Sequence, residues 1–279
     1  MKKPGFPPQT SDLSEKLEPY ADFIEERQGQ YDEAVSSIAE SLNLELGTRP
    51  NKSSAIADTT QQTFLDARAK DGRKRKAVIG VAGPGAVGKG TLMRHLGDSG
   101  FSTNINVTTR PVRTNNGVEE QDGVEYYFRT EEDYQREKAN GQYLTTTSRP
   151  GRGNYAISKV GLHTAVNSSP DGCLVEENPE TLAQLVEALR QDDPELLGII
   201  LYVLPPGQHS GREIIEVVER LATRSGENFG QDDLESTCGK RQMDELASMA
   251  DVIKRGIQVV FLENDDLQET KDRLSHLFL

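Results

Sequence analysis

The residues best suited to chemistry are Gly83, Pro84, Gly85, Ala86, Val87, Gly88 and Lys89, which fit the spacing G-x-x-x-x-G-K. Glycines at these positions let the backbone curl so that successive N–H groups point into one hollow. That hollow and the helix N-terminus behind it suit phosphate oxygens. Lys89 adds a mobile cation that reaches the terminal phosphates of a nucleotide. Gly90 follows the lysine, so the hydroxyl that helps hold phosphate or a metal-bound water must come from Thr91. The apolar run Ala77–Ala82 before this loop and the helical pattern from Gly88 to Leu96 after it supply the strand and helix that the motif needs.

A phosphate donor needs an acceptor. Downstream, Arg110 and Arg113 lie three apart beside Pro111, and two guanidinium forks so placed can converge on one dianion. Asp122-Gly123 then turns into the aromatic stretch Tyr126-Tyr127-Phe128, where a tyrosine hydroxyl is available as a third donor.

These side chains need a scaffold. Strand candidates are Ala77–Ala82, Tyr126–Arg129, Gln142–Thr146, Cys173–Glu176, Gly198–Leu204 and Gln258–Leu262. Between them lie helices with marked starts: Thr130 before Glu131-Glu132-Asp133, Asn178 before Pro179, Ser210 before the stripe Ile214, Val217, Val218 and Leu221, and Asn264 before Leu267, Leu274 and Leu277. The alternation predicts a parallel sheet covered by helices on both faces. Residues 1–75 differ. Leu13, Leu17, Tyr20 and Ile24, then Tyr31, Ala34, Ile38 and Leu42, predict two short amphipathic helices. Gly47 to Gln62 is polar and aperiodic, as a linker would be, with a weaker helix over Gln61–Lys70. Arg73-Lys74-Arg75-Lys76 reads as a solvated charge cluster at the entrance to the following domain.

Of 279 residues, 45 are acidic and 32 basic, a net charge of −13 that disfavours nonspecific nucleic-acid binding. The longest strongly apolar run, Leu196–Leu204, is far short of the ~20 residues of a membrane span. The N-terminus has no apolar stretch behind its lysines, and Cys173 and Cys238 make no disulfide framework or metal spacing. The expectation is a cytoplasmic protein with no membrane partner.

The motifs GPGAVGKGTL, TTRPVR, DGVEYYF with the following EEDY, GNYAIS, ERLATRSGEN and VVFLENDDL occur in an order and spacing that resembles the guanylate kinase family over about residues 77–279. The resemblance implies an α/β fold: a P-loop NTPase-type parallel sheet flanked by helices, with an acceptor-binding lobe at about 105–160 and a helical lid at about 208–245. Residues 76–279 would form this domain, and residues 1–75 an α-helical N-terminal extension and linker that self-associates, binds a partner or packs on the core. By resemblance, ATP lies on Gly83–Thr91 with Arg220 and Asn264, the latter near the adenine. The acceptor phosphate meets Arg110, Arg113 and Tyr126, and the base meets Asn106 and Ser158. Arg224 and Arg241 close from the lid over the transferring group. Mg²⁺ is implied, with Thr91 and Glu176 near it through water.

The departures concern base reading. The family's guanine-pairing glutamate matches Thr145, one phosphate-binding tyrosine is replaced at Ala156, and Glu176-Glu177 stands where two aspartates are usual, with Glu177 facing the acceptor. A small insertion at Ser148–Arg152 brings an extra arginine, and the lid is longer than usual. Three functions stay open: GMP + ATP giving GDP + ADP; a related kinase acting on another nucleotide or a ribose bisphosphate; and a non-catalytic protein-binding module, against which the intact Gly88-Lys89 argues.

Overall fold

The structure, a computed structural model, describes residues 10–45, 52–72, 75–115, 118–149, 151, 153–206 and 212–279. The N-terminal segment is helical: α1 (Thr10–Leu17), α2 (Ala21–Ser41) and α3 (Lys52–Asp71). A 3₁₀ turn at Glu18–Tyr20, with Pro19 at its start, separates α1 from α2. The two expected helices therefore divide at Pro19, and Ile24 joins Tyr31 and Ile38 on one 21-residue helix. The linker expected over Gly47–Gln62 is corrected: residues 52–62 belong to α3, and 47–51 lie outside the described residues. Composition hid this helix because polar residues stand on its inner face. Ser53 meets the Tyr31 hydroxyl at 2.8 Å, and Thr60 Oγ1 accepts from the Phe261 amide at 3.1 Å.

The alternating part begins with β1 (Ala77–Ala82), α4 (Lys89–Asp98), β2 (Ser102–Thr103) and β3 (Val107–Thr108). Next come β4 (Thr114–Asn115), β5 (Val118–Glu119), β6 (Tyr127–Phe128), α5 (Glu131–Ala139), β7 (Tyr143–Arg149) and β8 (Gly153–Ser158). They are followed by α6 (Lys159–Asn167), β9 (Gly172–Glu176), α7 (Pro179–Asp192) and β10 (Leu197–Leu204). The chain closes with α8 (Glu213–Ser225), α9 (Gln231–Cys238), α10 (Lys240–Ala247), α11 (Met249–Lys254), β11 (Val259–Glu263) and α12 (Leu267–Phe278). No helix among the described residues is long and apolar enough to cross a membrane.

The main sheet is parallel, in the order β11-β10-β1-β9-β2. Buried residues cover both faces. Ile79, Val81, Leu92 and Leu274 pack on one side, and Val78, Val175, Leu182 and Ile200 on the other. A second sheet, β6-β3-β8-β7, forms the acceptor-side lobe. Its short, half-buried strands lack a long apolar run, and β8 and α6 were not foreseen.

The N-terminal helices share the core. Tyr31, Val35 and Ile38 of α2 lie in the same buried cluster as Leu221, Leu246 and Met249 of the lid side. Helix α3 covers the sheet's edge strand β11, with Gln61 Nε2 donating to the Phe261 carbonyl at 2.9 Å. The basic run beside it is not a solvated cluster where it is described. Arg75 Nε donates to the Glu195 carbonyl at 2.9 Å and Lys76 Nζ to the Val166 carbonyl at 2.9 Å, while Arg73 and Lys74 lie outside the described residues.

Candidate functional site

The phosphate loop sits between β1 and α4. Gly83 (φ 140°) and Gly88 (φ 95°) take backbone conformations that L side chains rarely adopt. A Cβ would stand 2.4 Å from the Val203 carbonyl oxygen at Gly83 and 2.3 Å from Asn264 Nδ2 at Gly88. Lys89 curls back over the loop, and its Nζ donates to the carbonyls of Gly83 (2.9 Å) and Pro84 (2.8 Å). Glu176 Oε1 lies 3.7 Å from that ammonium. Burial pulls the Lys89 pKa below the usual lysine range, and Glu176 opposes the shift. Gly90 and Thr91 open α4, so the Thr91 side chain lies within its first turn.

Asn264 Nδ2 donates to the Val87 carbonyl at 2.7 Å, so Asn264 is tied to the loop rather than capping α12. The cap expected there is supplied by Asp266, whose Oδ1 accepts from the Glu269 amide at 2.8 Å. Arg220 Nη2 reaches the Asn264 carbonyl at 2.9 Å. Three expected donor-side elements, the loop, Asn264 and Arg220, are thus brought together.

On the acceptor side the outcome is mixed. Arg110 is buried and bidentate to Glu120, at 2.6 and 2.7 Å, with its guanidinium carbon 4.7 Å from the Tyr126 ring centroid. Glu120 was not anticipated; an acid a few residues after paired arginines was the available signal. The Arg113 side chain is exposed, and its amide donates to Glu120 at 3.0 Å. The Tyr126 ring lies 6.0 Å from the Tyr155 ring, and burial raises its hydroxyl pKa. Ala156, where the resemblance expects a tyrosine, packs with Val107 and Tyr134, and the neighbouring Tyr155 faces Tyr126.

Asn106 Nδ2 lies 3.3 Å from Glu177 Oε1, and its Oδ1 accepts from Asn104 at 2.6 Å. The Glu177 side chain is 4% exposed and pairs with Arg149; burial pushes its pKa up and Arg149 pulls it back. Thr145 is buried on β7 with no hydrogen-bond partner for its hydroxyl. Ser158, expected near the base, stands at the start of α6. Its Oγ accepts from the Gly161 amide at 2.9 Å, so it serves as the N-cap of α6.

The lid supplies Arg224, exposed near the end of α8, and Arg241, 3.8 Å from Glu245. Glu245 is half-buried beside Arg241. Its pKa is raised by burial, and Arg241, Arg149, Lys89 and Glu177 all act on its charge. A cleft of about 680 Å³ runs here, lined by Arg149, Asn178, Arg241 and Glu245 among others. The lid also touches the loop directly, through the Gly85 amide and the Thr237 carbonyl. Glu245 and Thr237 carried no sequence signal.

Among the described residues no group of three His, Cys, Asp or Glu side chains forms a metal cage. The oxygen donors near the loop, Thr91 and the half-exposed Glu176, fit Mg²⁺ held mainly by phosphate oxygens and water.

No family model matches the chain. Among curated proteins it is 31% identical over 153 residues to a guanylate kinase of Symbiobacterium thermophilum, covering 54% of this chain and 64% of that protein. It is 29% identical over 209 residues to guanylate kinase 1 of Arabidopsis thaliana, covering 74% and 48%. A third relative, a guanylate kinase of Mycoplasmoides gallisepticum, is 27% identical over 209 residues, covering 74% and 93%. The chain therefore spans less than two thirds of the first two relatives' length and nearly all of the third.

Proposed function

We propose that this chain, similar to guanylate kinases over much of its length, transfers the γ-phosphoryl group of ATP to a nucleoside monophosphate, with GMP the foremost acceptor. The observation that carries this reading is the curled glycine loop between β1 and α4, with Lys89 folded over it and the lid seated on it through the Thr237 carbonyl.

Phosphoryl transfer needs in-line placement and positive charge around the equatorial oxygens. The curled loop orients the donor phosphates, and Lys89 moves from its own loop's carbonyls onto them. Arg241 and Arg224 approach from the lid, and Arg220 with Asn264 lies on the donor-base side. Tyr126, Arg113 and the Arg110–Glu120 pair position the acceptor phosphate, while Asn106 and Glu177 face its base. No general base is needed, since the attacking atom is already a phosphate oxygen. Thr91 and Glu176 would hold Mg²⁺ through water, and the ion would supply neutralisation of phosphate charge.

Thr145 favours a second reading. It presents a buried hydroxyl without a partner where the resemblance expects a carboxylate. A hydroxyl in place of that carboxylate suits an acceptor other than GMP, another nucleotide or a ribose bisphosphate. An ADP-coupled assay with ATP against GMP, dGMP, AMP, CMP, UMP and ribose 1,5-bisphosphate separates the two. Preferred turnover of GMP supports the first reading, and preferred turnover of another acceptor supports the second. No turnover, together with no ATP-induced melting shift, refutes both.

A further inference from the structure

We propose that Arg149, at the end of β7, is a further acceptor-phosphate ligand, held ready by Glu177 and the Tyr155 ring. The inference deepens the kinase reading and rests on it.

Two rigid neighbours fix the guanidinium. Its Nη2 donates to Glu177 Oε2, and its carbon lies 4.4 Å from the Tyr155 ring centroid. The Glu177 side chain is 4% exposed and Tyr155 is 4% exposed, so neither support has room to move. The Arg149 side chain itself is 28% exposed, and it lines the 680 Å³ cleft with Arg241 and Glu245. A guanidinium has five N–H donors in a fixed fork, and Glu177 takes one edge of it. The rest of the fork suits a phosphate monoester dianion, and little side-chain entropy remains to be lost on binding.

The neighbouring cation explains why Arg149 is needed. Arg110 occupies the far end of the same aromatic row, 4.7 Å from Tyr126, whose ring is 6.0 Å from Tyr155. Both Arg110 terminal nitrogens are engaged with Glu120 in a pair whose side chains are 5% and 7% exposed. Arg110 is thus largely neutralised where it sits. Arg149 is the arginine at this row whose fork opens on the cleft. Arg241 of the lid lines the same cleft, so the fork of Arg149 faces the side from which the lid approaches.

The test is steady-state kinetics at saturating ATP with the best acceptor, on wild type, Arg149→Ala and Arg149→Lys, with ATP-induced melting shifts measured in parallel. Loss of a charge-assisted bidentate contact should raise the Arg149→Ala acceptor KM about 10- to 100-fold. The ATP-induced shift should stay as in wild type. Arg149→Lys keeps a cation but not the fork and should recover only part of the loss. If Arg149→Ala does not fold, Arg149→Lys carries the comparison, with a raised acceptor KM expected. Wild-type acceptor kinetics in either folded variant overturns the role of Arg149 while leaving the kinase reading standing. A wild type that turns over no acceptor refutes the kinase reading and this inference with it.

Discussion

The Gly85 amide of the phosphate loop donates to the main-chain carbonyl of Thr237 at 3.1 Å, seating the C-terminal end of α9 on the loop. Helix α2 braces the same lid. Gln28 Oε1 accepts from the Ile214 amide at 3.0 Å, and Arg27 lies 4.0 Å from Glu235. A Cβ on Gly85 would stand 2.8 Å from Thr237 Cγ2 and 3.1 Å from its Cα, and Thr237 is buried. Gly85→Ala should therefore push α9 off its seat at a cost of about 1–3 kcal/mol. Hydrogen exchange across Gln231–Cys238 should quicken in this variant; unchanged exchange would mean that α9 does not rest on the loop.

Lys89→Ala should remove transfer without unfolding the chain. The ammonium donates to the Gly83 and Pro84 carbonyls and faces the half-exposed Glu176, and it packs against no apolar core residue through these contacts. Removing one preorganised charge from a phosphoryl-transfer site lowers kcat by about 10²–10³. Steady-state turnover checks this, with circular dichroism to verify the fold. Turnover within a few-fold of wild type would sink the donor-site assignment.

Breaking the Arg110–Glu120 pair should be costly, because one buried charge would be left alone. Glu120→Ala is expected to lose about 3–5 kcal/mol of stability, and Glu120→Gln less, since the amide retains an acceptor. The acceptor KM should rise with either, because Arg110 holds Tyr126 in place. Urea unfolding and acceptor kinetics measure both effects. A Glu120→Ala chain as stable as wild type would show that the pair is not buried in solution.

How much of this was legible follows from the physics of each element. The loop, β1 and α4 were readable because a phosphate cradle needs specific residues at fixed spacing and because parallel strands are continuously apolar. β9, β10 and β11 fell within one or two residues of expectation for the same reason. Helix α3 was not readable. Its inward Ser53 and Thr60 look like solvent residues until Tyr31 and Phe261 appear as their partners. At the candidate site, Asn264 was expected near the donor adenine and as the cap of α12; its bond to the Val87 carbonyl, across 177 residues of chain, is not visible to local pattern. The capping role of Ser158 was not readable, because a serine before a helix shows its hydroxyl's partner only once the Gly161 amide is placed beside it. Arg110–Glu120 and Arg149–Glu177 join residues 10 and 28 apart, which local pattern does not connect.

Glu263, at the end of β11, predicts a pH dependence of stability. Ser54 donates to its Oε2 at 2.6 Å, while its Oε1 is buried without a partner. Burial pushes its pKa up to about 7, Asp265 and Asp58 reinforce the shift, and Ser54 and Arg273 oppose it. In the unfolded chain the group returns to about 4.5. The folded state therefore binds the extra proton between these values, so this contribution is full below about pH 4.5 and lost as pH rises through about 7. Glu263→Gln should remove that fall and be more stable than wild type at pH 8 by about 2–3 kcal/mol. Denaturant melts at pH 5 and pH 8 give the answer, and parallel pH profiles for the two proteins would contradict it.

If loop and acceptor cluster place two phosphates end to end, one molecule spanning both sites should bind far better than either half. Calorimetry with adenosine and guanosine joined through five phosphates, compared with ATP and GMP separately, measures this directly. The account predicts that the joined molecule binds about 10²-fold or more tighter than ATP, with the gain lost in Lys89→Ala. A joined molecule that binds no tighter than ATP would contradict the arrangement of two facing phosphate sites.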